Sequence, residues 1–336
     1  MVETKIKMIT ILKLKQWLKH SVIVKRMLSM VRQPKPMKFV SYGEEFSDRT
    51  FYVIGRDNPI AGGWSLINTT MMHMAFAHDH GYIPVVDMQN YRNQYTKLEE
   101  LGKVNFWEKF FLQPAGYSLK DIIHAKHVII NSTALCPLPE YNASDGSNIW
   151  EDEKKLSKYR HIFNTYVRFN EITQKFLDAQ VDKTLKECKS VIGVLCRGTD
   201  FLVNKPTGHE IQPAPEVVLS DVKEEFDKGV YDAVFLATED QDILDLFKNT
   251  FGDNLHYLEQ VRVSRKEMKG DKWLSAELEK REDKRSPEEM FLTYFSATYI
   301  LTKCRCLFTG RNNGSKGVLY MPSNFDFVKI YNLGQY

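Results

Sequence analysis

A buried strand that ends in a single arginine, at residues 191–200, is the feature that most constrains the fold of this chain. It reads Val-Ile-Gly-Val-Leu-Cys-Arg-Gly-Thr-Asp, an apolar and β-branched run followed at once by charge. Short runs of this type are typical of parallel strands that are covered on both faces. Ligands of open α/β sheets lie beyond the carboxyl ends of such strands, so we expect Arg197 to face an anion, most naturally a phosphate. Buried ion pairing is the alternative role for this side chain.

Strands and helices alternate through the rest of the chain. The first half predicts a βαβ unit, with a strand at 51–55, a helix at about 65–80 and a strand at 82–87. The later elements are a strand at 127–131, a long helix at 166–187, strands at 191–196, 233–237, 255–258 and 305–309, and a helix from 286 to 303. The pattern predicts an α/β fold with two doubly wound Rossmann-type domains, residues 41–187 and 188–336, facing a cleft.

The basic charge of the chain lies at its start. The 336 residues carry a net charge of +3, yet residues 1–40 hold ten Lys or Arg and one acid, which leaves the remainder mildly acidic and argues against a nucleic-acid binder. No uncharged run reaches the roughly 20 residues that span a bilayer, and lysines interrupt any signal-peptide core. We therefore expect residues 1–32 to form a basic amphipathic helix that binds an anionic membrane surface. The protein would then be cytoplasmic and peripheral on the inner face of the membrane. A solvated arm is the alternative.

Neither the cysteines nor the histidines form a recognisable metal or disulfide pattern. The five cysteines have no zinc-type spacing, and we expect reduced thiols. His73, His78 and His80 lack the i,i+4 spacing of a helical metal site, so we expect ordinary histidines.

Three polar turns follow three strands of the second half. They are residues 197–200, 237–240 and 309–316, and they are expected to converge on one edge of the sheet. Arg197 can neutralise a pyrophosphate, and the acidic pair Glu239 and Asp240 can accept hydrogen bonds from a base or a ribose. A Gly/Asn/Ser turn that opens a helix offers N–H groups to an anion. Helix capping and simple turn formation are the alternative roles of the second and third turns.

The order of these motifs resembles the superfamily of GDP-fucose-dependent fucosyltransferases that contains the core α1,6-, nodulation and protein O-fucosyltransferases. The resemblance rests on residues 193–200, 208–213, 234–240 and 308–315, and on a Gly-rich loop and helix at 58–68. It implies a GT-B architecture and an inverting, metal-independent transfer of fucose from GDP-fucose to a glycan acceptor, with no cofactor besides the donor substrate. The acceptor would be a glycan, and we expect a lipid-linked one in bacterial surface polysaccharide synthesis.

The resemblance also implies roles for individual residues. Arg197 would bind the β-phosphate of the donor. The sequence does not identify the general base; by their position in the chain His209, Asp200 and Asp87 are candidates, and a strand-end cap is the alternative role of Asp87. The implied donor pocket comprises Gly62, Gly63, Gly198, Thr238, Glu239, Asp240, Thr309, Asn312, Asn313 and Ser315.

Three positions depart from the pattern of these enzymes. Gly198 stands where a second arginine is usual, Leu195 stands where some members have a histidine, and Arg311 and Asn312 replace paired serines. These changes keep open a donor with another base or sugar. A non-catalytic glycan-binding protein is the alternative from outside the enzyme class.

Overall fold

A computed structural model describes residues 37–141, 149–268, 274 and 285–336. The predicted membrane-binding helix of residues 1–32 lies outside these residues. The strands are β1 Lys38–Val40, β2 Phe51–Gly55, β3 Ile83–Asp87, β4 Val128–Asn131, β5 Val191–Leu195, β6 Ala233–Ala237, β7 Leu255–His256, β8 Cys306–Gly310 and β9 Phe327–Tyr331. The α-helices are α1 Gly63–Asp79, α2 Phe106–Phe110, α3 Glu153–Tyr166, α4 Glu171–Leu185, α5 Thr199–Asn204, α6 Pro215–Phe226, α7 Gln241–Phe251, α8 Pro287–Leu301 and α9 Asn313–Tyr320.

The first sheet has four strands in the order β1-β4-β2-β3. The predicted βαβ unit is confirmed, because β2 and β3 run parallel with Val53 opposite Val85, and α1 connects them. The edge strand β1 was not predicted, since residues 38–40 were assigned to the basic segment. It pairs antiparallel with β4, with Phe39 opposite Ile129.

The second sheet has five parallel strands in the order β7-β6-β5-β8-β9. Every residue of β5, β6 and β8 is buried, as expected for strands covered on both faces. The edge strand β9 was not predicted, and its alternation of exposed and covered residues is typical of an edge. The α/β fold with parallel sheets is thus confirmed, whereas the two-domain division at residues 187 and 188 stays a prediction.

An aromatic cluster packs α1 against α8 and α9. The Trp64 ring stacks on Phe295 with centroids 4.5 Å apart, and its indole N–H donates to Thr298 Oγ1 at 3.0 Å. A Cβ atom at Gly317 would lie 2.3 Å from the same indole, so α9 needs glycine there. This packing joins helices from the two halves of the chain and fixes how the N-termini of α1 and α9 lie beside each other.

One prediction about the helices was wrong. The single helix at 166–187 is two helices, because the chain leaves α3 at Val167 and Asn170 begins α4 by accepting a hydrogen bond from Thr173 N at 2.9 Å. Most of the charged segment 262–286 lies outside the described residues, and at its start Arg262 is buried and donates to the backbone oxygens of Thr238 and Leu258. Within the described ranges, no helix combines the length and apolar character that a membrane span requires.

Candidate functional site

The three polar turns lie together at one edge of the second sheet. In the register of the strands, Leu195 of β5 is opposite Ala237 of β6 and Thr309 of β8. The residues that follow these three positions therefore leave the sheet side by side at its carboxyl end. The expected convergence of the turns is confirmed.

Arg197 lies at the centre of this edge. Its Nη2 donates to Asp200 Oδ1 at 3.2 Å, its Nε lies 3.9 Å from Glu239 Oε1, and its guanidinium lies 4.2 Å above the Phe201 ring. Burial alone would lower the pKa of Arg197, but the charges of Glu239 and Asp200 outweigh burial and raise it. The guanidinium is therefore charged at every physiological pH. Its buried Nε has no hydrogen-bond partner among the residues described, so a donor remains available to a ligand.

Asp240 fixes the backbone that follows Arg197. Its side chain caps α7 by accepting from Ile243 N at 3.1 Å and also accepts from Thr199 N at 2.8 Å. Thr199 has a φ of 44°, which is strained for a β-branched residue and needs such support. Asp240 is fully buried, so the structure gives it this capping role and leaves it no surface for a ribose or base.

Gly198 is required by the same arrangement. A Cβ atom at this position would lie 2.1 Å from Asp240 Oδ2. The second arginine that the resemblance leads one to expect therefore cannot stand here while Asp240 caps α7. Glycine contributes to the site by permitting this close approach, and it brings no side chain to the donor.

Most other predicted donor contacts are buried. The hydroxyl of Thr238 accepts from Asp240 N at 3.2 Å, and that of Thr309 donates to Gly310 O at 2.9 Å. Ser315 and Asn312 form a capping box that begins α9. These side chains shape the turns, whereas Glu239, Asn312 and Asn313 keep exposed surface toward solvent.

Tyr294 on α8 belongs to the site and was missed by sequence reasoning. A Cβ atom at Gly314, at the start of α9, would lie 3.0 Å from its hydroxyl oxygen. A Cβ atom at Gly63, at the start of α1, would lie 3.4 Å from its ring. Burial raises the pKa of Tyr294 to about 12, with the charge of Arg197 acting in the opposite direction. Its hydroxyl has no hydrogen-bond partner in the described part of the chain. No sequence signal marked it, because α8 also carries Tyr299 and several hydroxyl side chains.

His209 is the candidate base that lies near Arg197. Its ring meets the Phe201 ring edge to face at 5.5 Å, and Phe201 in turn lies beneath the guanidinium. Burial of the ring and the charge of Arg197 lower the pKa of His209 below its usual 6.5. The carboxyl-terminal residues hold its loop, because Tyr336 N donates to His209 O at 3.1 Å and Gly208 N donates to Tyr336 O at 3.1 Å.

The other two candidate bases are occupied by internal hydrogen bonds. Asp200 is buried and accepts from Arg197 and from Leu274 N. Asp87 caps the turn after β3, where its oxygens accept from Gln89 N and from the backbone and side chain of Asn90.

The glycines of the first half lie at the start of α1. Gly62 is the N-cap of this helix with an ordinary φ of −61°, and a Cβ atom there would meet nothing within 4 Å. Gly63 packs against Phe291 and Tyr294. This places the Gly-rich loop beside α8, on the side of the Tyr294 ring.

No metal site is formed by the side chains that the structure describes. No group of three His, Cys, Asp or Glu is suitably placed in residues 37–141, 149–268, 274 and 285–336. His73 is a core residue that bonds Tyr52 Oη at 2.9 Å and Thr133 O at 3.0 Å. None of the five cysteines, all of which lie in the described ranges, is part of a disulfide. Metal independence of any reaction stays a prediction.

Comparison with known proteins gives structural similarity only. No family model and no curated protein matches the sequence. The chain resembles the crystal structure of fucosyltransferase NodZ from Bradyrhizobium, at 14% identity over 77% of this chain and 88% of that chain, with a TM-score of 0.41.

Two further structures are similar at the same level. NodZ alpha-1,6-fucosyltransferase soaked with GDP-fucose matches at 16% identity over 82% of this chain and 94% of that chain, with a TM-score of 0.43. POFUT1 in complex with GDP-fucose matches at 11% identity over 86% and 99%, with a TM-score of 0.45. Identities and TM-scores this low do not carry an activity from those proteins to this chain. What the comparisons add is that this chain is similar in structure to NodZ and POFUT1.

Proposed function

We propose that this protein is an inverting glycosyltransferase that moves fucose from GDP-fucose to a glycan acceptor without a metal ion. One observation carries the proposal. The Arg197 guanidinium, charged and with a buried, unpartnered Nε, stands at the carboxyl end of the central strand beside the N-terminus of α9. An anion placed there would meet both a fork of charged donors and the positive end of a helix.

The diphosphate of the donor is the group that this arrangement suits. As the bond between the sugar C1 and the diphosphate oxygen breaks, negative charge develops on the leaving diphosphate. A guanidinium already held by Asp200 and Phe201 stabilises that charge without having to reorient. The Tyr294 hydroxyl, 3.0 Å from the Cβ position of Gly314, supplies a further donor at the same helix end.

The acceptor proton needs a base on the opposite face of the sugar. In an inverting transfer the acceptor oxygen bonds to C1 as the diphosphate leaves, and its proton passes to a side chain. Among the three candidates we assign this role to His209, since its lowered pKa keeps the imidazole neutral at pH 7. The carboxylate oxygens of Asp200 and Asp87 already accept hydrogen bonds from within the protein.

Glu239 is the residue we assign to the ribose or base. Its side chain keeps 19% of its surface exposed beside Arg197, and a carboxylate accepts hydrogen bonds from ribose hydroxyls or from ring N–H groups. Asn312 and Asn313, at the start of α9, would contact the phosphates. A donor with another base or sugar is the second candidate, because Leu195 and Gly198 depart from the fucosyltransferase pattern.

The proposed location follows from charge alone. Residues 1–32 carry most of the basic excess of the chain, and a basic amphipathic segment binds anionic lipid. We propose that it holds the enzyme on the cytoplasmic face of a membrane, where a lipid-linked glycan for a bacterial surface polysaccharide would be the acceptor.

Ligand-induced stabilisation tests the donor. The full chain is heated with GDP, UDP, CMP and their sugars in buffer containing EDTA, and Tm should rise with ligand concentration for GDP and GDP-fucose. Donor hydrolysis is then measured on the wild type and on Arg197→Ala. Loss of one preorganised donor should cost about 3–4 kcal/mol in the transition state, so the variant should be almost inactive while folded.

Each other outcome identifies an alternative. A shift with UDP or CMP sugars and none with GDP would identify another donor. No change in Tm with any nucleotide, together with no donor hydrolysis, would overturn the enzyme proposal and favour a glycan-binding protein. Near-normal donor hydrolysis by Arg197→Ala would show that Arg197 does not stabilise the leaving diphosphate.

A further inference from the structure

A second polar cavity lies between α1, α3 and α9, on a different face of α9 from Tyr294. It encloses about 160 Å³. One face of α1 lines it with Ser65, Asn68 and Thr69, whose spacing places them on the same side of a helix. The facing residues of α9 are Asn313 and Lys316, one turn apart. Asn68 Nδ2 donates to Asn313 Oδ1 at 3.1 Å and connects the two helices at this cavity.

Positive charge dominates the walls of this cavity. Two lysines, Lys316 and Lys155, line it, and no carboxylate does among the residues that the structure describes. Burial lowers the pKa of Lys316; Glu210, whose charge opposes this effect, does not form an ion pair with it. Lys316 also has no hydrogen bond to any residue within the described ranges, and its Nζ lies 6.0 Å from the centre of the Trp150 ring. A desolvated cation such as Lys316, which forms no ion pair within the described ranges, favours an anionic ligand.

Arg56 adds a third charge behind the first turn of α1. It donates to Ser65 O at 3.0 Å and to Thr69 Oγ1 at 2.7 Å, both on residues that line the cavity. Its buried Nε has no hydrogen-bond partner among the residues described, and its contacts there are to neutral oxygens. Arg56 therefore adds positive charge next to the wall formed by Ser65 and Thr69.

The remaining walls suit a sugar. The rings of Tyr159 and Tyr320 stack with centroids 5.5 Å apart and line the cavity together with the hydroxyls and amides above. Aromatic surface, hydroxyls and amides together match the apolar and polar faces of a pyranose ring. The volume equals about five water molecules at roughly 30 Å³ each, enough for one charged substituent and part of a ring.

The cavity adjoins the proposed donor site through both helices. Asn313 in the cavity precedes Gly314, which faces the Tyr294 hydroxyl, and Ser65 is two residues from Gly63, which faces the Tyr294 ring. A ligand in the cavity would thus lie about one helical turn from the donor phosphates.

We propose that this cavity is an acceptor subsite that binds an acidic sugar, through its carboxylate or another anionic substituent, with Lys316 as the principal cation. The role as an acceptor site rests on the proposed function, whereas binding of the acidic sugar does not and can be measured without donor. It specifies the acceptor as an anionic glycan.

Direct titration of the full chain tests this subsite. Glucuronate, glucose and GDP are titrated separately by calorimetry at low salt. Glucuronate should bind about tenfold more tightly than glucose, which lacks the charge that Lys316 would neutralise. Lys316→Gln should abolish that preference and leave the Kd for GDP within about twofold of the wild type, because Arg197 binds the diphosphate independently.

Two further variants complete the test. Lys186→Gln removes one charge from an exposed lysine at the end of α4 and should change neither affinity. Asn68→Asp places a carboxylate in the cavity and should abolish the preference for glucuronate even if Lys316→Gln folds poorly.

The possible results separate this inference from the proposed function. Equal binding of glucose and glucuronate by the wild type, or an unchanged preference in Lys316→Gln, would overturn the subsite. An equal loss of GDP affinity in Lys316→Gln would also overturn it and assign the cavity to the donor. A chain that prefers glucuronate but does not bind GDP supports the subsite and contradicts the proposed donor.

Discussion

A Cβ atom at Gly198 would lie 2.1 Å from Asp240 Oδ2, which is too close for any residue other than glycine. The two residues follow neighbouring strands, and Asp240 joins the turns by accepting from Thr199 N at 2.8 Å. The backbone beside Arg197 is therefore set by a capping aspartate from the adjacent strand. The site carries a single arginine at this turn because the space for a second one is filled.

Gly198→Ala should destabilise the fold by about 3 kcal/mol, since the new methyl group must displace the Asp240 carboxylate from two backbone N–H groups. Urea denaturation measures this change. Gly62→Ala is the matched control, because its position is open and its φ is ordinary, and it should cost at most about 1 kcal/mol, the difference between glycine and alanine at a helix N-cap. Equal unfolding midpoints for Gly198→Ala and the wild type would contradict the assigned role of Asp240.

Arg197→Lys should lower kcat/KM for donor hydrolysis about 100-fold while far-UV circular dichroism is unchanged. A lysine keeps the charge but loses the planar fork that meets Asp200 and a phosphate at once. The matched control is Arg305→Lys at the opposite, amino end of β8, where Arg305 pairs with Asp326 at 2.7 Å. A loss of similar size in the control would show that the effect comes from stability and not from the site.

Tyr294→Phe should weaken GDP binding about tenfold and leave the unfolding midpoint nearly unchanged, because it removes one hydroxyl donor without creating a cavity. Tyr299→Phe, on the same helix, removes a hydroxyl that bonds Asp178 at the surface and should leave GDP affinity unaltered. Calorimetric titration with GDP measures both. Wild-type affinity in Tyr294→Phe would exclude the phenol from donor binding.

The pH profile of kcat/KM should carry an acid limb with a pKa below 6.5. A general base acts in its deprotonated form, so activity is lost as pH falls through the pKa of His209, which burial and Arg197 depress. His209→Gln should lose most activity and also lose this limb, whereas Asp87→Asn should retain it. An unchanged acid limb in His209→Gln would move the base to another residue.

Local sequence patterns predicted most of the regular structure. The apolar runs of β2, β5 and β6 gave their bounds to within a residue, because strands buried on both faces need continuous apolar residues. Ser286 with Pro287 marked the start of α8. The edge strands β1 and β9 escaped prediction, since an edge is half solvated and depends on its partner for stability.

The break between α3 and α4 shows a different limit. Residues 166–187 contain no proline or glycine that would end a helix, yet Phe169 is not helical and stacks on Phe111 with centroids 5.4 Å apart. Asn170 followed by Glu171 was the available signal for a new helix. Tertiary packing outweighed the local preference.

The sequence by itself determined the parallel sheet, the arrival of Arg197 at its carboxyl edge and the convergence of three polar turns, because strand burial and connection rules act locally. Only the tertiary structure decided which side chains of those turns remain accessible. Asp240, Thr309 and Ser315 are buried in caps and turns, whereas Tyr294 enters the site from α8, where the sequence shows no motif. The physical reason is that a polar side chain serves a ligand or its own backbone according to its neighbours in space, and those neighbours come from distant parts of the chain.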